Sequence, residues 1–154
     1  MPFPHLTPTA INRVAELAFS YKRWTGRDLL PPELQGQALA EAAWSAPFAL
    51  LAHGVQADPI LDYGNAQALA LWETDWTGLT ATPSRQTAEP DLQEARARFM
   101  RQVTDFGFAD DYSGIRLSTQ GRRFVIEGVT VWNVVDAGGR YLGQAARIPR
   151  WRML

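Results

Sequence analysis

Three β-rich runs, residues 112–118, 124–135 and 141–148, follow one another with only turn-length connections between them. A parallel crossover needs a dozen or more residues, so these runs must pair as neighbouring antiparallel strands. Gln120-Gly121 and Ala137-Gly138-Gly139 supply the positive-φ residues that tight hairpins need. Read as two-residue loops, they keep paired residues on one side. Ile115, Leu117, Phe124, Ile126, Gly128, Thr130, Trp132 and Val134 then share a face with Tyr141, Gly143 and Ala145. Arg116, Val125, Glu127, Val129, Val131, Asn133, Leu142, Gln144 and Ala146 fall on the other. Neither face is simply polar, so both are expected to be covered.

Upstream, residues 48–53 form an apolar run suited to a buried strand, and residues 60–63 a second short strand after Pro59. Asn65 can cap a helix carrying Leu69 and Trp72, and Thr74 a turn with Trp76 and Leu79 inward, closed by Gly78. TATPSRQTAEP is rich in turn formers and reads as an irregular crossing segment. A firm helix follows, with Pro90 at its start and Asp91 and Glu94 complementing its dipole. Leu92, Phe99, Val103 and Phe106 make its buried face, and Glu94 can pair with Arg98.

Residues 1–45 read as a helical extension to a body spanning 46–154. Thr7 as N-cap and Pro8 at the first helical position start a helix that Gly26 ends. Ile11, Val14, Leu17, Ala18, Tyr21 and Trp24 recur along it as one apolar stripe. A second helix is expected over residues 33–44. These helices must pack on the body or on a second copy of the chain, which makes a homodimer through them a candidate assembly.

Composition excludes several function classes. A net charge of -1 gives no electrostatic case for nucleic acid or an anionic membrane, and no run reaches the length of a membrane helix. Zero cysteines remove disulfides, zinc–thiolate sites and thiol chemistry. No secretory signal precedes the helices, so a cytoplasmic location is expected. Lys22 is the only lysine among 15 basic residues, which reflects genome composition rather than function.

The element order resembles a PAS domain: PILDYGNAQALALWETDWTGL matches its front half, and GRRFVIEGVTVWNVVDAGGRYLGQAA its last two strands. Within that superfamily the chain resembles the MEKHLA domain, on HGVQADPILDYGN, PSRQTAEP, DDYSGIR and the GRRF-IEG-TVWN-V-D-GGRY-GQAA pattern. That domain occurs in stand-alone bacterial proteins and at the C-terminus of plant homeodomain–leucine-zipper transcription factors. The resemblance implies an α+β fold: a five-stranded antiparallel sheet with short helices on one face and the N-terminal helices on the other. It implies a non-enzymatic sensory module that binds a small ligand and signals through a partner or a dimer. The alternative is an interaction module with a solid core, and an enzyme on a small α+β cone is a distant third.

No catalytic or metal-binding constellation accompanies this pattern. His53 with Asp58 or Asp62 lacks a nucleophile or oxyanion motif, and a strand-end His that donates to the backbone is the simpler reading. Asp110 and Asp111 suit a strand start or turn better than a cation, since adjacent strand residues point opposite ways. Arg116 and Glu127 are expected as a partly desolvated structural ion pair, with an anion site as the second reading. Arg85, in a segment that borders the cavity of PAS domains, is a candidate ligand contact. Trp72, Ile126, Gly128, Thr130, Trp132 and Ala145 are the other expected ligand-binding positions; Trp72, Trp76 and Trp132 should meet, with Gly128 and Ala145 leaving space. A flavin bound through cysteine is excluded, and no residue argues for non-covalent haem or flavin.

Overall fold

The computed structural model describes residues 3–89 and 92–154. The Thr7 hydroxyl accepts a hydrogen bond from the Ala10 amide and so caps α1 (Pro8–Thr25), which ends at left-handed Gly26. α2 (Gly36–Trp44) begins three residues later than its pattern predicts, because Gly36 takes φ +58°. β1 (Ala49–His53) and β2 (Leu61–Gly64) follow as an antiparallel pair. Asn65 then caps α3 (Ala66–Trp72), as expected. The next helix, α4 (Trp76–Leu79), is capped by Asp75 rather than Thr74, the Asp75 carboxylate accepting from the Gly78 amide at 2.7 Å. A 3-10 turn (Ser84–Thr87) leads to α5 (Gln93–Phe106), where the expected Glu94–Arg98 pair forms. Pro90 and Asp91, the expected helix start, lie outside the described residues.

β3 (Phe108–Leu117), β4 (Arg123–Val135) and β5 (Tyr141–Ile148) complete an antiparallel sheet of order β2-β1-β5-β4-β3. A sixth strand, β6 (Arg150–Met153), continues past Pro149 and pairs with the first half of β4. Among the described residues no helix is long and apolar enough to cross a membrane.

Both sheet faces are covered, and each has its own core. On the outer face Val14, Leu17 and Tyr21 of α1 and Leu39 of α2 pack on Leu50, Trp132 and Val134. The α1 stripe is therefore packed on the chain's own sheet, the first of the two arrangements expected for it. On the inner face Leu71 and Trp72 of α3 and Val103 of α5 pack on Leu51, Ile126, Val129, Val131 and Ile148. Phe106, expected in this core, is 79% exposed, because the helix ends there and the chain turns away at Gly107.

Two departures from the expected register decide which side chains face inward. The β3–β4 connection is not a two-residue loop: Leu117 pairs with Arg123, leaving an odd number of residues between them, with Gly121 at φ +81°. Arg116 therefore lies opposite Phe124 and shares its face, not that of Glu127. A bulge then interrupts β4, where Gly114 pairs with Ile126 but Tyr112 with Val129, and Gly128 holds φ +66°. The extra residue inverts the alternation, so Phe124, Ile126, Val129 and Val131 all face inward while Trp132 and Val134 face α1. Trp132, Val134, Gly143 and Ala145 do share a face, as expected.

Candidate functional site

Between the inner sheet face, α3 and α5 lies a cavity of about 40 Å³. Its walls are mainly apolar, with Leu51, Leu61, Val129 and Ile148 among them. Six polar groups break that apolar lining: His53, Ser84, Thr87, Arg96, Arg116 and Gln144, with Tyr112 and Trp72 beside them.

Each polar group is placed by a rigid element. His53 ends β1, is buried, and its Nδ1 lies 3.0 Å from the Gly54 carbonyl, the backbone contact expected for it. Its carbonyl accepts a hydrogen bond from Arg13 of α1 at 2.9 Å. Gln144, on β5, donates to the Met100 carbonyl at 3.0 Å, the Thr104 hydroxyl at 2.9 Å and the Asn133 side chain at 3.1 Å, which ties α5 to the sheet. Arg116, on β3, is 5% exposed; it donates to the Ile115 carbonyl at 2.9 Å and to the Tyr112 hydroxyl at 3.3 Å. Tyr112 is in turn stacked on Phe99 of α5 at 3.9 Å. Arg96 reaches inward from α5 and donates to the Ser84 hydroxyl at 2.6 Å. Its residue surface is half-buried, but Nε is fully buried with no hydrogen-bond partner, and so is the indole nitrogen of Trp72.

The electrostatics of this site are lopsided. The nine ion pairs among the described residues engage neither Arg96 nor Arg116. Burial, and then the positive charge of Arg116, push the Arg96 guanidinium down to about 10. His53 is lowered mainly by burial; Arg96 acts in the same direction, against the Gly54 carbonyl, Gln144 and Asp62. The consequence for stability has a definite sign. A histidine with a depressed folded pKa contributes stability above its unfolded value of about 6.5 that is lost on acidification through the folded value. His5, lowered by burial against the opposing charge of Glu41, acts in the same direction. The melting temperature is expected to hold from about pH 8 to 7 and fall between about pH 6.5 and 5. His53→Gln should remove much of that fall, and a profile flat to pH 5 in the parent protein would contradict the assignment.

The expected site residues divide sharply. Trp72 and Ile126 line the cavity, and Trp72 packs edge-on against Phe124 at 5.1 Å. Ala145 borders it while belonging to the core under α1. Gly128 sits at the bulge, where a β-carbon would meet the Arg150 guanidinium, so it makes no room for a ligand. The inverted alternation carries Trp132 to the outer face against Tyr21 at 4.9 Å, and the Thr130 hydroxyl donates to Asp110 at 2.7 Å. Trp76 contacts Tyr63 and Trp44, so the three tryptophans do not meet. Arg85 bonds Asp58 at 3.2 Å in a half-exposed pair away from the cavity. Arg116 and Glu127 form no pair; Glu127 lies 3.7 Å from Arg152 of β6 instead, because the odd loop puts the two on opposite faces. Arg96 escaped the sequence reading, although its signal is legible. It stands in line with Phe99, Met100 and Val103 at helical spacing, a charge within the inward stripe.

Comparison with known proteins gives this cavity a context. The family model of the MEKHLA domain matches residues 11–153, which includes most of α1. Homeobox-leucine zipper protein ATHB-9 of Arabidopsis thaliana is 28% identical over 135 residues, covering 84% of this chain and 16% of the plant protein. Homeobox-leucine zipper protein HOX32 of rice is 24% identical over 134 residues, with 86% and 16% covered. The chain thus spans about a sixth of the length of the curated relatives it matches. Among solved structures, a PAS domain from Colwellia psychrerythraea superposes with a TM-score of 0.62 at 16% identity, covering 75% of this chain and 92% of that one. A light-oxygen-voltage domain studied with a flavin analogue gives 0.58 at 14% identity, covering 75% and 84%. At these identities the structures are alike in fold: this sheet and its helices have the PAS arrangement.

Proposed function

We infer that the chain, which belongs to the MEKHLA domain family, acts as a non-enzymatic sensory module of PAS type. A small molecule held in the inner cavity is its signal, and occupancy is passed on by contact with a partner or a second copy. The observation that carries this reading is the cavity itself, because it holds buried polar groups with unused hydrogen-bonding capacity within an apolar wall. Among the described residues no group of three His, Cys, Asp or Glu side chains is arranged to hold a metal. The helical lead serves in this reading as the cover of the outer face.

The size of the cavity narrows the ligand. A water needs roughly 10–15 Å³ of such space, so about 40 Å³ admits only a solute of a few heavy atoms. A flavin does not fit these walls, and no cysteine is present to attach one. One PAS domain of the same fold, from a Burkholderia thailandensis regulator, was solved in complex with ethanol, a ligand of comparable size. A cavity this small also favours a second reading, an interaction module whose core needs no ligand. Native mass spectrometry of protein purified from its own cells separates the two. A non-covalent mass increment supports the sensor, and a bare mass that no small solute alters supports the interaction module.

A further inference from the structure

Resting on the sensory reading, we propose that the cavity is a built site for a small monocarboxylate, its two oxygens held between the guanidinium groups of Arg96 and Arg116 and its short alkyl end against the apolar wall. The argument starts from an imbalance of charge. Two guanidinium groups from different elements, α5 and β3, line one cavity, and no carboxylate among the described residues bonds to either. Burying one cation without a counter-charge is unfavourable, and burying two side by side compounds it. A fold retains such a pair where an anion completes it.

The donors that remain agree with that assignment. Arg96 gives one Nη to Ser84 and Arg116 gives its two to Ile115 and Tyr112. Arg96 Nε and Trp72 Nε1 keep buried protons with no acceptor. The two fully buried side-chain atoms of the lining residues that lack a partner are thus both donors, which favours a ligand with acceptors over a cation. A planar guanidinium fork matches a carboxylate in geometry as well as charge. The apolar remainder, with Leu51, Leu61, Ile126 and Ile148, would leave a fully polar oxyanion such as phosphate against hydrocarbon on one side. Volume sets the chain length, since about 40 Å³ suits acetate or propionate better than a long acid.

The full chain should be titrated by calorimetry and by thermal shift with formate, acetate, propionate, butyrate and inorganic phosphate, with propionamide as the uncharged isostere. Saturable binding of acetate or propionate, at least tenfold tighter than propionamide or phosphate, is expected. Arg96→Met and Arg116→Met should each lose at least tenfold in carboxylate affinity while keeping or raising the ligand-free melting temperature, since each removes an uncompensated buried cation. Arg85→Met, on the surface, should leave binding unchanged. If carboxylates bind no better than propionamide, the proposal is overturned whether or not the variants fold. Recovery of a neutral ligand from cells would likewise overturn it and leave the sensory reading intact. Failure of every solute, together with a bare native mass, would overturn both.

Discussion

Asn65→Ala is expected to lower the stability of the chain by about 4–6 kcal/mol, or more than about 10 °C in melting temperature. Asn65 is fully buried, and its side chain makes four hydrogen bonds to four different backbone groups. Its oxygen accepts from the amides of Leu50 at 3.0 Å and Ala68 at 3.1 Å. Its nitrogen donates to the carbonyls of Ala43 at 3.0 Å and Phe48 at 2.9 Å. One side chain thus closes the end of α2, the start of β1 and the first turn of α3. Alanine orphans all four groups at once, the α3 cap among them, and each buried orphan costs about 1–1.5 kcal/mol. Against a total stability of about 5–15 kcal/mol, this is a quarter or more of the whole. Chemical denaturation of the variant measures this directly. A loss below about 1 kcal/mol would mean that Asn65 does not lock these elements together.

The second large effect concerns a glycine next to the cavity. Gly143 of β5 holds φ +122°, and a β-carbon built on it would lie 2.0 Å from the carbonyl oxygen of His53. The obstacle is backbone in a neighbouring strand, so no side-chain rotation relieves it. Gly143→Ala is expected to cost about 3–5 kcal/mol, from backbone strain and forced separation of β1 from β5. Gly121 supplies the control: it also has positive φ, +81°, but nothing lies within 4 Å of its added β-carbon. Gly121→Ala should therefore cost only the conformational term, about 1–2 kcal/mol. Equal melting temperatures for the two variants would show that the close approach at His53 is not rigid. Because the His53 carbonyl also receives Arg13, any Gly143→Ala protein that folds should have a disturbed cavity wall.

Much of the fold was legible because its signals are local. The caps at Thr7 and Asn65, the stop at Gly26 and the Glu94–Arg98 pair each depend on residues within a few positions of one another. The candidate site was legible only in part, for the opposite reason. Trp72 and Ile126 were found from composition and face, whereas Gly128, Thr130 and Trp132 were assigned to the wrong environment by an uninterrupted alternation. One bulge residue was enough to invert every later position on β4. Arg116 was recognised as important, but a one-residue difference in loop length exchanged its expected partner Glu127 for a place in the cavity.

The sequence by itself determined the element order, the antiparallel sheet and the covering of both its faces, since short connections and two-sided apolar strands leave few other arrangements. It also determined that nothing is attached through a thiol, because it contains no cysteine. Only the tertiary structure decided that α1 covers its own sheet, that β6 extends the pairing beyond Pro149, and that Arg96 and Arg116 line one cavity. These outcomes depend on register and on contacts between residues far apart in the chain. A period of two carries no record of where an extra residue will shift it.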